Sequence, residues 1–418
     1  MGHSNDLQWI TSALGAEAWD LCKQLQCVPR ADSFRPVLSP DQLHFLQCQT
    51  EFALGPAKSK VAEPWNWIWT KLLLEQASDE WTAQETAKDF PVSASVVDGC
   101  CGAGVDAIAI ARHLAQHQAI DHRFWAIDSD PVACQLTQFN AKRNGIVLTP
   151  VESRFEELSL SRSTWLHLDP DRRVSGRRVN IHATEPNWDI IAQRISQAPG
   201  ASIKVAPGFQ PERDFRWGEC GPPQVRRWIS KDASVRQQRL YWRIPRWHNA
   251  TRVVSAFRND IGWHHEIFEE YLDRTELYLA NYGYDPIERD TQQLDDYDFV
   301  ADQDPALRAA NCVVALSNRL GIKVIGNEFG YNAANRIIPH PMLRWFRVLD
   351  VLALDRKRIR AMSRSLKVGR WELKSRNVDV DLVQWRKELI IDMDSPRMGW
   401  LLITKVGKKH VCFVGEAV

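Results

Sequence analysis

At 418 residues, with 44% hydrophobic and 25% charged residues, the chain has room for two or three soluble domains, each with its own core. Its 53 Lys and Arg against 52 Asp and Glu leave a formal net charge of +1, which excludes a global field that would recruit nucleic acid or a membrane. Any such attraction has to be local.

No apolar run approaches the ~20 residues of a spanning helix, so no membrane partner is expected. The opening MGHSNDLQWI lacks the basic-then-apolar order of a signal peptide. Nine cysteines are scattered without a CxxC, and twelve histidines without an HExxH. No metal site is expected, and the cysteine usage points to a reducing, cytoplasmic setting. His264 and His265 are neighbours, and neighbours on regular structure point apart, so packing or surface placement is expected for the pair.

Residues 1–62 read as a helical region with breaks. Leu7, Ile10, Leu14, Ala18 and Leu21 keep helical spacing, Pro29, Pro36 and Pro40 interrupt, and a short helix starts at Pro40-Asp41. Trp65, Ile68, Trp69, Leu72, Leu73 and Ala77 predict one helical run from Trp65 to Ala87.

The region from Ala94 to Gly145 organises the chain. A β-rich run, Ser95-Val96-Val97, closes at Asp98. Gly102-Ala103-Gly104 follows, and then Ile108, Ile110, Ala111 and Leu114 share a helical stripe. A second strand, Phe124 to Ile127, ends in Asp128, and Pro131 opens a helix with Asp130 as its N-cap. Strand, Gly-rich turn, helix, strand, acid is a βαβ unit with a ligand-binding turn. Short strands are predicted near Val147 to Val151, at Thr164 to Leu168 and at Ser202 to Val205, with a helix at Trp188 to Ile195. The fold class is therefore α/β, a doubly wound sheet with ligands at the carboxyl ends of its strands. From about 224 to 257 the period shortens to two, which predicts an antiparallel extension.

Residues 285–304 carry Asp285, Glu288, Asp290, Asp295, Asp296, Asp298, Asp302 and Asp304 against Arg289 alone, the pattern of an acidic surface stretch or linker. A helix is expected from Pro305 to Leu320. Met342 to Arg376 is basic, and a strand pair, Trp400 to Lys405 and His410 to Val414, turns at Gly407-Lys408-Lys409. The domain reading is a helical region (1–62), a core with its extension (63–284), an acidic linker and helix (285–340) and a closing domain (341–418).

Gly102 and Gly104 let the backbone approach a ligand at a helix N-terminus, and Asp128 can accept from both hydroxyls of a ribose. An NAD site shares these features. Three details favour S-adenosylmethionine instead. Asp98-x-Cys100-x-Gly102-x-Gly104 follows the D-x-G-x-G-x-G pattern of methyltransferases, with Cys100 at the first Gly position. Asp98 suits the ammonium of a methionine moiety. The Thr164–Leu168 strand ends in Asp169-Pro170, where amino-methylating enzymes carry an Asp/Asn-Pro-Pro signature. The competing reading makes Asp98 a turn cap and Asp128 a helix cap.

In VVDGCCGAGVD, LEQASDE (Leu74–Glu80), LDPDRRVSGRR and KVAPG (Lys204–Gly208), the sequence resembles bacterial class I S-adenosylmethionine-dependent methyltransferases with a C-terminal THUMP-like domain. That family reads DLCCGIGGD, LEQATDE, DPARR…GRR and KLAPG at these places. The stretch from Phe346 to the final hairpin is similar to the THUMP-like module, and the likeness covers about residues 58 to 418. More distantly, the turn and second strand are similar to trimethylguanosine synthases. Val105 stands where the family has a third Gly, and Arg154 where many methyltransferases put an acid beside adenine.

The resemblance implies a Rossmann-like core with an N-terminal helical region and a C-terminal α+β THUMP-like domain, S-adenosylmethionine as cofactor, and RNA as partner. It implies cofactor contacts from Asp98, Cys100, Cys101, Gly102, Ala103, Gly104, Asp128, Ser129, Arg154 and Phe155. Asp169 and the carbonyl of Pro170 are the expected catalytic groups, aiming an amine by accepting its hydrogens. Arg172, Arg173, Arg177 and Arg178 are expected to hold substrate phosphates; the alternative is a solvated loop. The basic C-terminal segment, with Trp345 and Trp371 interleaved, suits an RNA backbone, or else a charged face docked on the acidic 285–304 stretch. A methyltransferase for a protein or small molecule, and a non-catalytic binding protein, stand as alternatives.

Overall fold

The computed structural model describes residues 3–34, 38–116, 123–170, 173–174, 177–178, 184–210, 216–269, 294, 296–326, 330–389 and 395–418. They fall into two compact units. The first is Met1–Arg226 with Gln237–Ala250, and the second is Arg227–Arg236 with Thr251–Val418.

The first unit opens with α1 (His3–Ile10), α2 (Ala13–Leu25) and α3 (Pro40–Leu54). Ser39 starts α3 by accepting the Gln42 N–H, with the Gln42 side chain bonding back, so the helix predicted at Pro40 is capped at both bonds. The single run predicted from Trp65 to Ala87 is instead the end of a 3-10 turn (Pro64–Asn66), an extended stretch from Trp67, and then α4 (Lys71–Gln76) and α5 (Glu80–Ala87). Gln49 takes both backbone groups of Trp69, at 2.9 and 2.8 Å, as a neighbouring strand would. Thr70 and Asp79 then cap two separate helices. The apolar face of the N-terminal helices packs Trp19, Leu46, Trp65 and Ile68 against Leu136.

Next come β1 (Ser95–Gly99), α6 (Val105–Leu114), β2 (Phe124–Asp128), α7 (Pro131–Arg143), β3 (Val151–Glu152) and β4 (Thr164–Leu168). A small hairpin, β5 (Arg173–Val174) and β6 (Arg177–Arg178), precedes α8 (Trp188–Gln197), β7 (Ala201–Val205), β8 (Val225–Lys231), which belongs to the second unit from Arg227 on, and β9 (Ser234–Trp242), which belongs to the first from Gln237 on. Within this unit the strands run in the order β9-β7-β4-β1-β2-β3. β1 pairs in parallel with β2 and β4, β2 with β3, β4 with β7, while β9 is antiparallel to β7. The winding reverses beside β1, where a doubly wound sheet opens its ligand crevice. Asp130 caps α7 by accepting the Val132 N–H, as read from sequence.

In the second unit, β10 (Arg252–Arg258) and β11 (Gly262–Phe268) form an antiparallel pair that continues to β8. The remaining elements are β12 (Phe299–Gln303), α9 (Pro305–Ala309), α10 (Val313–Leu320), β13 (Lys323–Ile325), β14 (Tyr331–Ala334), β15 (Leu343–Ala353), α11 (Arg356–Leu366), β16 (Arg370–Arg376), α12 (Leu382–Glu388), β17 (Met398–Val406) and β18 (Lys409–Ala417). Seven strands line up as β13-β14-β12-β15-β18-β17-β16. One face buries Phe346, Trp400 and Leu402. The other buries Leu401 and Ile403 under Ile359 and Trp385 of the two covering helices.

The helix read from Pro305 to Leu320 is two helices, separated where Asn311 takes φ 54°. The acidic stretch also differs in part from its reading as an acidic surface stretch or linker. Asp302, 5% exposed, lies on β12 and pairs with Arg376 at 2.9 Å and with Lys374. Asp304 is half-buried, capping α9 and accepting from Ser230 at 2.7 Å. Asp285, Glu288, Arg289, Asp290 and Asp295 lie outside the described residues.

Candidate active site

Register brings the sequence-predicted residues together. Gly99 of β1 stands level with Ile127 of β2 and Leu168 of β4. The next residues, Cys100 after β1, Asp128 at the last position of β2 and Asp169 after β4, therefore lie together at the carboxyl ends of the strands.

The turn after β1 is wound tightly. Cys100, Gly102 and Gly104 take φ of 71°, 58° and 89°. Gly adopts that left-handed conformation freely, whereas for Cys100 it costs roughly 1 kcal/mol. A Cβ on Gly104 would meet Thr137 Oγ1 at 2.9 Å. Val105, where the resembled family has Gly, is the first residue of α6, is 4% exposed and is not among the positive-φ residues. It packs without backbone strain.

α7 holds the turn from behind. Thr137 donates to the carbonyl of Gly102 at 3.0 Å, and Asn140 to that of Ala103 at 2.9 Å. Asn140 also exchanges bonds with both backbone groups of Ile68, which ties the turn to the stretch before α4. Asp128 accepts the Gly102 N–H at 2.9 Å and the Asp130 N–H at 3.0 Å. Burial still pushes its carboxyl above the ordinary range.

Asp98 is 1% exposed. Its Oδ2 is buried without a hydrogen-bond partner among the described residues. Burial, then the neighbouring Asp106, push its carboxyl well above the usual range, against the pull of Arg239. The thiols of Cys100 and Cys101 are pushed well up by burial and nearby carboxylates, which disfavours nucleophilic chemistry there.

Beside Asp98 lies a charged network with little exposure. Arg239, 0% exposed, donates to Asp106 Oδ1 at 3.2 Å and to Ser202 at 3.3 Å. Burial alone would raise the Asp106 carboxyl, but Arg239, His167, Lys204 and the Ser78 hydroxyl hold it below the ordinary range. His167 is driven down to about 3 by burial and Arg239 and stays neutral. Lys204 Nζ reaches Asp169 Oδ2 at 2.6 Å and Ser78 Oγ at 3.1 Å.

Phe155 is buried in the core beside Gly99. Arg154 and Ser129 are exposed, with Arg154 4.0 Å from Glu156. Pro170 is buried next to Asp169. Arg172 lies outside the described residues; Arg173 and Arg178 pair in register on the β5–β6 hairpin beside Arg177, and the side chains of these three lie outside the described ones.

Sequence reasoning assigned no role to Ser78, Asp106, His167, Lys204, Arg239, Thr137 or Asn140. Ser78, Asp106 and Lys204 do stand inside the LEQASDE, VVDGCCGAGVD and KVAPG strings, which was the available signal.

In the second unit, His264, Glu266 and His340 each offer a ligand atom within 4.8 Å of the others. His264 and His340 Nε2 lie 2.7 and 3.0 Å from Glu266 Oε1, and Arg319 donates to Oε2 at 2.9 Å. The Met342 N–H donates to His340 Nδ1 at 3.1 Å, so its Nε2 carries the proton and donates to the carboxylate. The cluster is thus a hydrogen-bonded clasp; binding a metal would require the other tautomer. His265 points away, to Ser255 at 2.9 Å.

Comparison with known proteins adds to this geometry. A THUMP domain-like family model matches residues 343–417. Over 351 residues the chain is 26% identical to an uncharacterized S-adenosylmethionine-dependent methyltransferase of Mycobacterium tuberculosis, present in two strains, covering 82% of this chain and 85% of the relative. The solved structure of a candidate methyltransferase from Porphyromonas gingivalis shares the fold with a TM-score of 0.69 at 14% identity, over 96% of this chain and 98% of that one. The chain is a homologue of S-adenosylmethionine-dependent methyltransferases, with a Rossmann-like core and a THUMP-like C-terminal domain.

Proposed function

We propose that this protein transfers a methyl group from S-adenosylmethionine to a base nitrogen of RNA. The observation that carries the cofactor is Asp98, whose buried Oδ2 has no hydrogen-bond partner among the described residues. An unpaired buried carboxylate oxygen is costly in a folded protein and fits a ligand that brings an ammonium. The homology to S-adenosylmethionine-dependent methyltransferases points the same way.

When bound, S-adenosylmethionine supplies an electrophilic methyl on a sulfonium. In this reading Asp98 holds the ammonium, the backbone from Cys100 to Gly104 lines the ligand, and Asp128 accepts from the ribose hydroxyls. Ser129, Arg154 and Phe155 flank the adenine. Asp169 and the Pro170 carbonyl accept the hydrogens of the acceptor amine, which directs its lone pair along the line of displacement. Arg172, Arg173, Arg177 and Arg178 hold phosphates around the acceptor. RNA as acceptor is supported by the THUMP-like match at 343–417 and by exposed cations on α11.

Two measurements test this reading. Thermal shift should show stabilisation by S-adenosylhomocysteine; stabilisation by NAD alone overturns the cofactor. Nucleoside mass spectrometry of RNA from a deletion strain should reveal one missing methylated base. An unchanged profile overturns the acceptor.

A further inference from the structure

Lys204 stands on β7, where all five residues are buried. An ammonium in such a strand is costly unless it is well paired, and an apolar residue would serve the sheet better. Its bonds form a directed chain. Lys204 Nζ donates to Asp169 Oδ2 at 2.6 Å and to Ser78 Oγ at 3.1 Å. The Ser78 proton is spent on Asp106 Oδ2 at 2.6 Å, so only its lone pairs face the ammonium. Asp106 is anchored in turn by Arg239 at 3.2 Å. Asp169, at the end of β4, is thereby tied through one oxygen to side chains that cannot move independently. Its Oδ1 makes no hydrogen bond among the described residues.

The χ2 torsion of a free aspartate is soft, and a carboxylate that must align an amine loses rate when its plane wanders. We propose that Lys204 is the positioning residue of this site: it clamps Asp169 through Oδ2 and so presents Oδ1 to the acceptor. This role rests on the methyltransferase reading above. Lys204 acts through Asp169, and Ser78, Asp106 and Arg239 fix Lys204.

A double-mutant cycle on kcat tests it, with Lys204→Met, Asp169→Asn and the pair compared with the intact chain. Tritium-labelled methyl transfer is read from S-adenosylmethionine into an extract of a deletion strain, separated into RNA, protein and small-molecule fractions. Lys204→Met should lower kcat by about 30-fold in the intact site and by less than about 3-fold once Asp169 is Asn. Calorimetry with S-adenosylhomocysteine should change by less than about 3-fold in either background. Where Lys204→Met does not fold, Lys204→Gln takes its place in the cycle. Independent, multiplying losses overturn the positioning role, as does a loss confined to S-adenosylhomocysteine affinity. Label in the protein fraction alone overturns the RNA reading and leaves the cycle readable. No label from the intact chain in any fraction overturns the methyltransferase reading, and the positioning role with it.

Discussion

The backbone N–H of Gly102 donates to Asp128 Oδ2 at 2.9 Å, joining the Gly-rich turn to the end of β2. Asp128 therefore has two duties in the proposed site, shaping the turn and accepting ribose hydroxyls. Asp128→Asn keeps one acceptor oxygen, while Asp128→Ala keeps none. Affinity for S-adenosylhomocysteine by calorimetry should fall about 10-fold for Asn and about 100-fold for Ala, since a charge-assisted bond contributes roughly 1.5–3 kcal/mol. Unchanged affinity in the Ala variant would limit Asp128 to the turn.

Asp98 should show opposite effects on stability and binding. Its carboxyl is buried, is pushed well up by burial and Asp106, and keeps an unpaired Oδ2. Asp98→Asn removes a carboxyl whose charged form burial and Asp106 disfavour, so the unliganded melting temperature should rise by a few degrees. The further stabilisation by S-adenosylhomocysteine should shrink by at least about half, because the ammonium loses its counter-charge. A variant that loses stability and keeps the ligand shift would make Asp98 a structural residue.

What the sequence disclosed about this site is what local spacing can carry. The βαβ unit was legible because the apolar period changes sharply and Asp130-Pro131 is a helix start in itself. The final hairpin, β17 and β18, was legible from its alternation. Contacts between distant residues left no local trace: Lys204 meets Asp169 across 35 positions, and Arg239 meets Asp106 across 133. The same distance hid the fate of Asp302, which reads as part of an acidic surface until Lys374 and Arg376 arrive 72 and 74 positions later. Helical spacing at Trp65 to Ala87 misled because Gln49, far outside that window, fixes the extended backbone of Trp69.

His167 sets an acid limit on stability. Its imidazole drops from the ordinary 6.5 to about 3, through burial and then Arg239. The unfolded chain takes up a proton that the folded chain refuses, so stability is intact above pH 6.5 and falls as pH drops towards 3. At pH 5 the loss is about 2 kcal/mol from this residue alone. His167→Gln should melt with a shallower pH dependence between pH 6.5 and 4 than the intact protein. An identical slope in calorimetry at matched ionic strength would show that His167 is not the titrating group.

In the proposed RNA reading, binding by the second unit should depend on a few cations rather than on all of them. Arg356 and Arg360 of α11 already pair with Glu388, at 3.3 and 3.2 Å. Arg370 and Arg386 share Glu372, and Lys374 and Arg376 share Asp302. Lys357, Arg358 and Arg364 on the same helix, and Lys367 beyond it, are exposed and make no ion pair among the described residues. A cation already neutralised by a carboxylate gains less from a phosphate, because the pair has to be broken first. Replacing Lys357, Arg358 and Arg364 with Gln should weaken binding to total RNA and lower the slope of log affinity against log salt by up to about 2, at roughly 0.7 per lost phosphate contact. Replacing Arg356 and Arg360 instead should change the slope by less than about 0.5. Equal effects from both sets would mean that α11 contributes only a diffuse field, and no effect from either would place the RNA contacts elsewhere.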